Sequence, residues 1–251
     1  MSAFTSAVAS ITDPYERQAR LFPALLALLP LFFTVSSIYG PSVSALTNVV
    51  TVIIACGGLY LLSQVSRDRG KALEARLFAQ WGGKPSTQLL QHRDPSIEAA
   101  TKSRYHAFLS RKLAQALPDP SHEASDPKAA DDVYQSGVRW LLNHTTDHER
   151  FQLLFKENIS YGFRRNALGL KPLGLIIAIA CVVFVLWNYS VVTASGWSGA
   201  PLSKLPDEAW LSLVVSLIAV GVWVTFVTKQ AVRIAAFTYA ETLLRACDVI
   251  E

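Results

Sequence analysis

Three groups of residues have the types and spacing that chemistry needs. The first is Tyr161, Arg164, Arg165, Asn166 and Lys171, within KENISYGFRRNALGLKP at 156–172. Adjacent guanidiniums offer planar forks of donors that can grip an anionic ligand bidentately. The second is Gly82, Gly83 and Lys84 with His92 and Arg93, within WGGKPSTQLLQHRD at 81–94. Glycines beside a lysine invite comparison with a phosphate loop, but the GxxxxGK[ST] spacing is absent. Pro85 also removes a main-chain donor that such a loop uses. A helix terminator and a turn explain Gly82-Gly83 better, and the polar residues behind them form a weaker ligand-site candidate. The third group is His144, Asp147 and His148, at i, i+3 and i+4, which places ligands on one helical face. No HExxH pattern accompanies them, and Asp147 suits a helix cap, so no metal is expected.

No serine nucleophile elbow, Walker motif or CxxC pair occurs in the chain. A lipid-directed enzyme would have only Tyr161, Arg164, Arg165 and His92 to work with at one interface. No catalytic residue is assigned, no cofactor is expected, and the chain reads as a non-enzyme. Cys56, Cys181 and Cys247 show no metal or disulfide spacing. Asn143-His-Thr145 and Asn158-Ile-Ser160 match a glycosylation pattern by accident, because they fall on the side expected to be cytoplasmic.

The elements that position these residues are set by hydrophobicity. Of 251 residues, 51% are hydrophobic and only 17% charged, and mean hydropathy is +0.29. A soluble domain carries about 25% charged residues. Asp, Glu, Lys and Arg are missing altogether from 21–40, 45–65, 172–192 and 210–227. About 20 helical residues cross the hydrocarbon core, where a helix satisfies its own main-chain hydrogen bonds. The sequence therefore predicts an all-α integral membrane protein with four transmembrane helices in two hairpins. The first hairpin, 21–65, turns through Gly40-Pro41-Ser42, and the second covers 172–228. Segment 1–20 is expected to be cytoplasmic and helix 1 to be retained. Its leader mixes Asp13 and Glu16 with Arg17 and Arg20, which is not the basic leader of a signal peptide.

Charge distribution sets the expected threading. Arg17, Arg20, Arg67, Arg69, Lys71, Arg164, Arg165, Lys171, Lys229 and Arg233 all flank one side of the spans. The opposite loops are uncharged at 40–45 and hold only Lys204, Asp207 and Glu208 at 193–209. Positive residues stay inside, so both termini and segment 66–171 are expected in the cytoplasm. Tyr39, Trp187, Tyr189 and Trp210 fall at the outer interface, where amphipathic rings sit. In this frame Arg164 and Arg165 mark a membrane boundary near anionic head groups. Net charge is +4, which this topology explains, and no basic–aromatic interleaving points to nucleic acid.

Segment 66–171 reads as a helical cytoplasmic domain. Helix 2 is expected to run on to Gly82-Gly83. A second helix is expected from about Pro95 to Leu117, capped by Asp94, with Ile97, Tyr105, Phe108, Leu109, Leu113 and Leu117 on its apolar face. PDPSHEASDP at 118–127 reads as a polar loop, and Asp126-Pro127 as the start of a third helix reaching Asn143. A fourth starts near Asp147 with Phe151, Leu154, Phe155 and Ile159 on one face, and Gly169 and Pro172 are expected to turn the chain into helix 3. After Gly221 there is neither Gly nor Pro, so helix 4 is expected to continue unbroken to about 250, forming a long cytoplasmic helix at 229–251. Val232, Ala236, Tyr239, Leu243, Ala246 and Ile250 repeat there as a heptad seam that either joins subunits or packs on the central domain.

WGGKPSTQLLQHRD and KENISYGFRRNALGLKP resemble a group of uncharacterised bacterial four-pass inner-membrane proteins. The architecture also resembles anti-phage membrane effectors, which pair a few membrane helices with a small cytoplasmic sensing domain. That likeness carries no diagnostic motif. It implies an oligomeric effector or channel-like protein of the bacterial inner membrane, altering permeability when its cytoplasmic domain senses a ligand or partner. Uncharged spans speak against a charge-coupled transporter while permitting a hydrophobically gated pore. The expected partners are the lipid bilayer, further copies of the chain and a soluble protein. The alternative is a non-catalytic scaffold that recruits such a partner.

Overall fold

A computed structural model describes residues 13–39, 57–194, 196–198 and 205–250. A π-helical turn at Glu16–Leu21 leads into α1, Phe22–Tyr39. The order continues with α2 (Gly58–Trp81), α3 (Pro85–Leu90), α4 (Ala99–Leu113), α5 (Pro120–Ser125) and α6 (Pro127–His144). After these come α7 (Gln152–Asn188), a hairpin of β1 (Val192–Thr193) and β2 (Gly196–Trp197), α8 (Asp207–Thr225) and α9 (Lys229–Arg245). Glu16–Ile38, Gln152–Asn188 and Asp207–Thr225 are each long and apolar enough to cross a membrane. Together they identify a membrane protein. Much of the expected second span, with the Gly40-Pro41-Ser42 turn, Asn48, Thr51 and Cys56, lies outside the described residues.

The chain forms two compact units, 1–73 with 162–231 and 74–161 with 232–251. In the first, α1 packs along α8, and the buried Thr34 and Ser212 hydroxyls lie 2.8 Å apart. Phe32, Ile176, Val183, Leu217 and Ile218 are exposed, as expected where the solvent is lipid. Small residues bring backbones together, as is usual between membrane helices. A Cβ on Gly169 would lie 2.6 Å from the carbonyl carbon of Arg69, and one on Gly70 would lie 2.0 Å from Asn166 Oδ1. A Cβ on Gly174 would lie 2.4 Å from the Trp223 indole.

The second unit has a core of Leu89, Leu90, Tyr105, Leu109, Tyr134, Leu141, Leu243 and Leu244. Gly82 and Gly83 end α2 with φ of +87° and +139°, conformations that glycine adopts without steric cost. Asp126 caps α6 by accepting from Ala129 N–H, as its sequence position implies. Most of the heptad seam is absorbed here: Leu243 and Ala246 join the core, with Tyr239 and Ile250 packed against it.

Four boundaries differ from the sequence expectation, each for a physical reason. The chain does not turn at Gly169 and Pro172; α7 runs straight through both, and Gly169 serves close packing instead. The helix after Gly221 is broken despite lacking Gly or Pro. Lys171 Nζ donates to the Val227 carbonyl (2.8 Å) and the Val224 carbonyl (3.4 Å) at the end of α8, while Thr228 Oγ1 accepts from Ala231 N–H and opens α9. A cation on orphan carbonyls and a threonine cap end one helix and start the next. α4 starts at Ala99 rather than Pro95, because the Asp94 carboxylate accepts from Ser96 N–H and its carbonyl is held by Lys102. Part of the expected polar loop is the short helix α5, capped by Asp119.

These contacts predict that Gly169→Ala lowers stability by about 3 kcal/mol or more, because backbone rather than a flexible side chain meets the new methyl. Gly221→Ala, where nothing lies within 4 Å, should leave the protein unchanged or slightly more stable. Thermal unfolding of both variants in detergent checks the contrast.

Candidate functional site

Arg164, Arg165, Asn166 and Lys171 share the first unit, whereas Tyr161 belongs to the second. The adjacent guanidiniums do not converge: Arg164 is exposed and Arg165 is 6% exposed. One Arg164 donor reaches the Ala231 carbonyl at 3.3 Å, and Arg165 Nε donates to Asn166 Oδ1 at 3.2 Å. Asn166 is fully buried, and its Nδ2 donates to the Ala19 carbonyl at 2.6 Å. Together with Lys171 on the α8 terminus, these residues hold helix ends and turns of the membrane unit. In the second unit, Tyr161 donates to Glu74 Oε1 (2.6 Å) and stacks on Tyr239.

The second candidate group divides as well. Gly82 and Gly83 end a helix, and Lys84 donates to Gln135 Oε1 at 2.9 Å. His92 and Arg93 instead border a buried polar network. Its acceptor is Glu123, 4% exposed on α5. The carboxylate receives His92 N–H (2.7 Å), Arg93 N–H (3.3 Å) and the Tyr134 hydroxyl (2.7 Å). Its cation is Lys102, 5% exposed on α4, which donates to the Gln91 carbonyl at 2.6 Å and to the Asp94 carbonyl. One turn later His106 Nε2 donates to the Leu90 carbonyl at 2.7 Å, and its ring meets the edge of His92.

This network lines a cleft of about 470 Å³, walled by His92, Asp94, Pro95, Ile97, Glu98, Lys102, Ser103 and His106. Burial lowers the Lys102 and His106 pKa values from their ordinary range. Burial alone would raise the Glu123 carboxyl, but the His92 and Arg93 amides and the Tyr134 hydroxyl hold it below its ordinary value. The cleft thus offers an ammonium with one N–H beyond its two carbonyl partners and a neutral imidazole whose Nδ1 accepts. Such a set has the donors and the acceptor that a polar ligand would use. His144 stacks on Trp140 and His148 on Phe155, and no metal-holding cluster occurs among the described residues.

Lys102, His106 and Glu123 were not singled out by sequence. The i, i+4 spacing of Lys102 and His106 was the available signal. Glu123 lay in a stretch that reads as loop. No family model, curated protein or solved structure matches the chain.

The lowered pKa of His106 gives a pH dependence with a definite sign. Its neutral form is favoured in the folded protein, so its contribution is complete above the ordinary histidine value of about 6.5 and is lost as pH falls through the lowered folded value. Glu123 adds a further loss only below the ordinary carboxylate range. Thermal midpoints of the full chain should therefore fall from pH 7 toward pH 5. His106→Gln, which can still donate to Leu90, should flatten that slope.

Proposed function

We propose that the protein is an effector of membrane permeability. Spans of the first unit, in several copies, change the permeability of a bacterial inner membrane, and the cleft of the second unit takes the signal. The carrying observation is the uncharged but polar packing between the spans of the first unit. Ser212 pairs with Thr34, and one turn on, Ser216 Oγ is buried without a hydrogen-bond partner, as is Trp223 Nε1. A hydroxyl without a partner in a membrane interior costs on the order of 1–3 kcal/mol, so a movement of the helices that admits water beside this fully buried group would be favoured. The charge-free apolar stretches of the spans suit a dewetting gate, with buried hydroxyls to hold water once the helices part, and give a coupled ion nowhere to titrate. Arg164, Arg165, Asn166 and Lys171 transmit the signal in this reading, since they fix the helix ends next to the spans. The four-pass threading, the cytoplasmic placement of the second unit and a role in anti-phage defence belong to the same proposal.

Absorption of most of the heptad seam into the chain's own core favours a second reading. That core leaves less of the repeat for self-assembly, which suits a scaffold recruiting a soluble partner.

Native mass spectrometry from nanodiscs, followed by potassium flux in proteoliposomes, separates the two. A closed ring of several copies that passes potassium, with flux reduced by Ser216→Val, is the expected result. A correctly inserted monomer or dimer that passes none supports the scaffold.

A further inference from the structure

Beside the break between α8 and α9, the first unit holds an apolar cleft of about 310 Å³. Its wall includes Leu26, Phe163, Ala167, Val222 and Phe226, with Arg164 alongside them. None of its lining residues is acidic. Phe226 is 76% exposed, the most exposed of the large apolar side chains among the described residues, and it directly follows the span Asp207–Thr225. Arg164 is also exposed and spends one of its five donors on a main-chain carbonyl. Lys171 adds a second positive charge at the adjacent helix end. An apolar wall next to a guanidinium, at the end of membrane-spanning helices, matches one kind of molecule in both of its parts.

We propose that this cleft is a binding site for an anionic phospholipid. Part of one acyl chain lies against Leu26, Phe163 and Phe226, and the phosphate accepts hydrogen bonds from the Arg164 guanidinium. Planar donor forks match phosphate oxygens, and basic residues at the membrane surface attract anionic head groups. The cleft is too small for a whole lipid, so the remaining chain length runs along the exposed apolar faces of the helices. A free phosphate would satisfy Arg164 and leave the apolar wall unused. A zwitterionic lipid would use the wall and gain little from the charge. This site is independent of whether the protein alters permeability.

The test uses the full chain in neutral detergent, with lipid retention read by native mass spectrometry and stability by thermal unfolding. Phosphatidylglycerol should be retained and should raise the unfolding midpoint, whereas phosphatidylcholine with the same chains and glycerol phosphate alone should do neither. Arg164→Gln should weaken phosphatidylglycerol binding about fivefold, since a basic residue near the head group contributes on the order of 1 kcal/mol. Arg164→Lys should retain most of the affinity, and Phe226→Ala should lose part of it. Both positions are exposed, so the variants should fold. Arg139→Gln, an exposed change in the second unit, should bind as the parent does. Equal retention of the two phospholipids, or unchanged binding by Arg164→Gln, overturns the proposal. An equal effect of glycerol phosphate reduces the site to an anion contact and overturns the lipid assignment.

Discussion

Pro23 has no N–H, so the carbonyl four residues earlier, that of Ala19, loses the donor an α-helix would give it. The chain enters α1 through a π-helical turn at just this point, and the fully buried Asn166 places its Nδ2 2.6 Å from the Ala19 carbonyl. A side-chain amide on α7 thus stands in for a missing main-chain donor on another helix. The other end of the same amide fixes more of the structure. Asn166 Oδ1 accepts from Arg165, and it sits where Gly70 leaves room for it. One proline defect, one asparagine and one glycine therefore set the spacing of three chain segments in the first unit. Away from water, an orphan carbonyl costs on the order of 1–3 kcal/mol, which makes this substitution of donors worth its polar side chain.

Asn166 also explains why Arg165 differs from its neighbour. Consecutive helical residues point about 100° apart, so a pair that is adjacent in sequence divides between interior and surface. Arg165 turns inward beside Asn166, and Arg164 turns outward beside the end of α8. Lys171 then holds the carbonyls that α8 leaves open, and Thr228 starts the next helix. The basic residues that sequence alone assigns to a membrane boundary hold backbone at that boundary too.

Three of the four expected membrane spans match helices long and apolar enough to cross a membrane, because a span depends on one property, the absence of charge over about 20 residues. Asp126-Pro127 and Gly82-Gly83 were legible because caps and terminators act within a few residues of themselves. What escaped reading depends on partners distant in sequence. Gly169 reads as a turn signal until Arg69 is seen against it. The break at 226–228 carries no Gly or Pro because its carbonyls are satisfied by a lysine more than 50 residues earlier in the chain. Glu123 lies in a proline-punctuated polar stretch, and nothing local shows that two amides and a tyrosine converge on it. The heptad repeat had two possible partners, and the core of the second unit takes most of it.

Asn166 replaces the hydrogen bond that Pro23 cannot make, and a double-mutant cycle measures this exchange directly. Asn166→Leu should destabilise the full chain by about 2–4 kcal/mol in detergent. In a Pro23→Ala background, where a main-chain N–H is restored to the helix, the same change should cost at least about 1 kcal/mol less. An equal cost in both backgrounds would mean that Asn166 acts through packing alone and not as a stand-in for the missing donor.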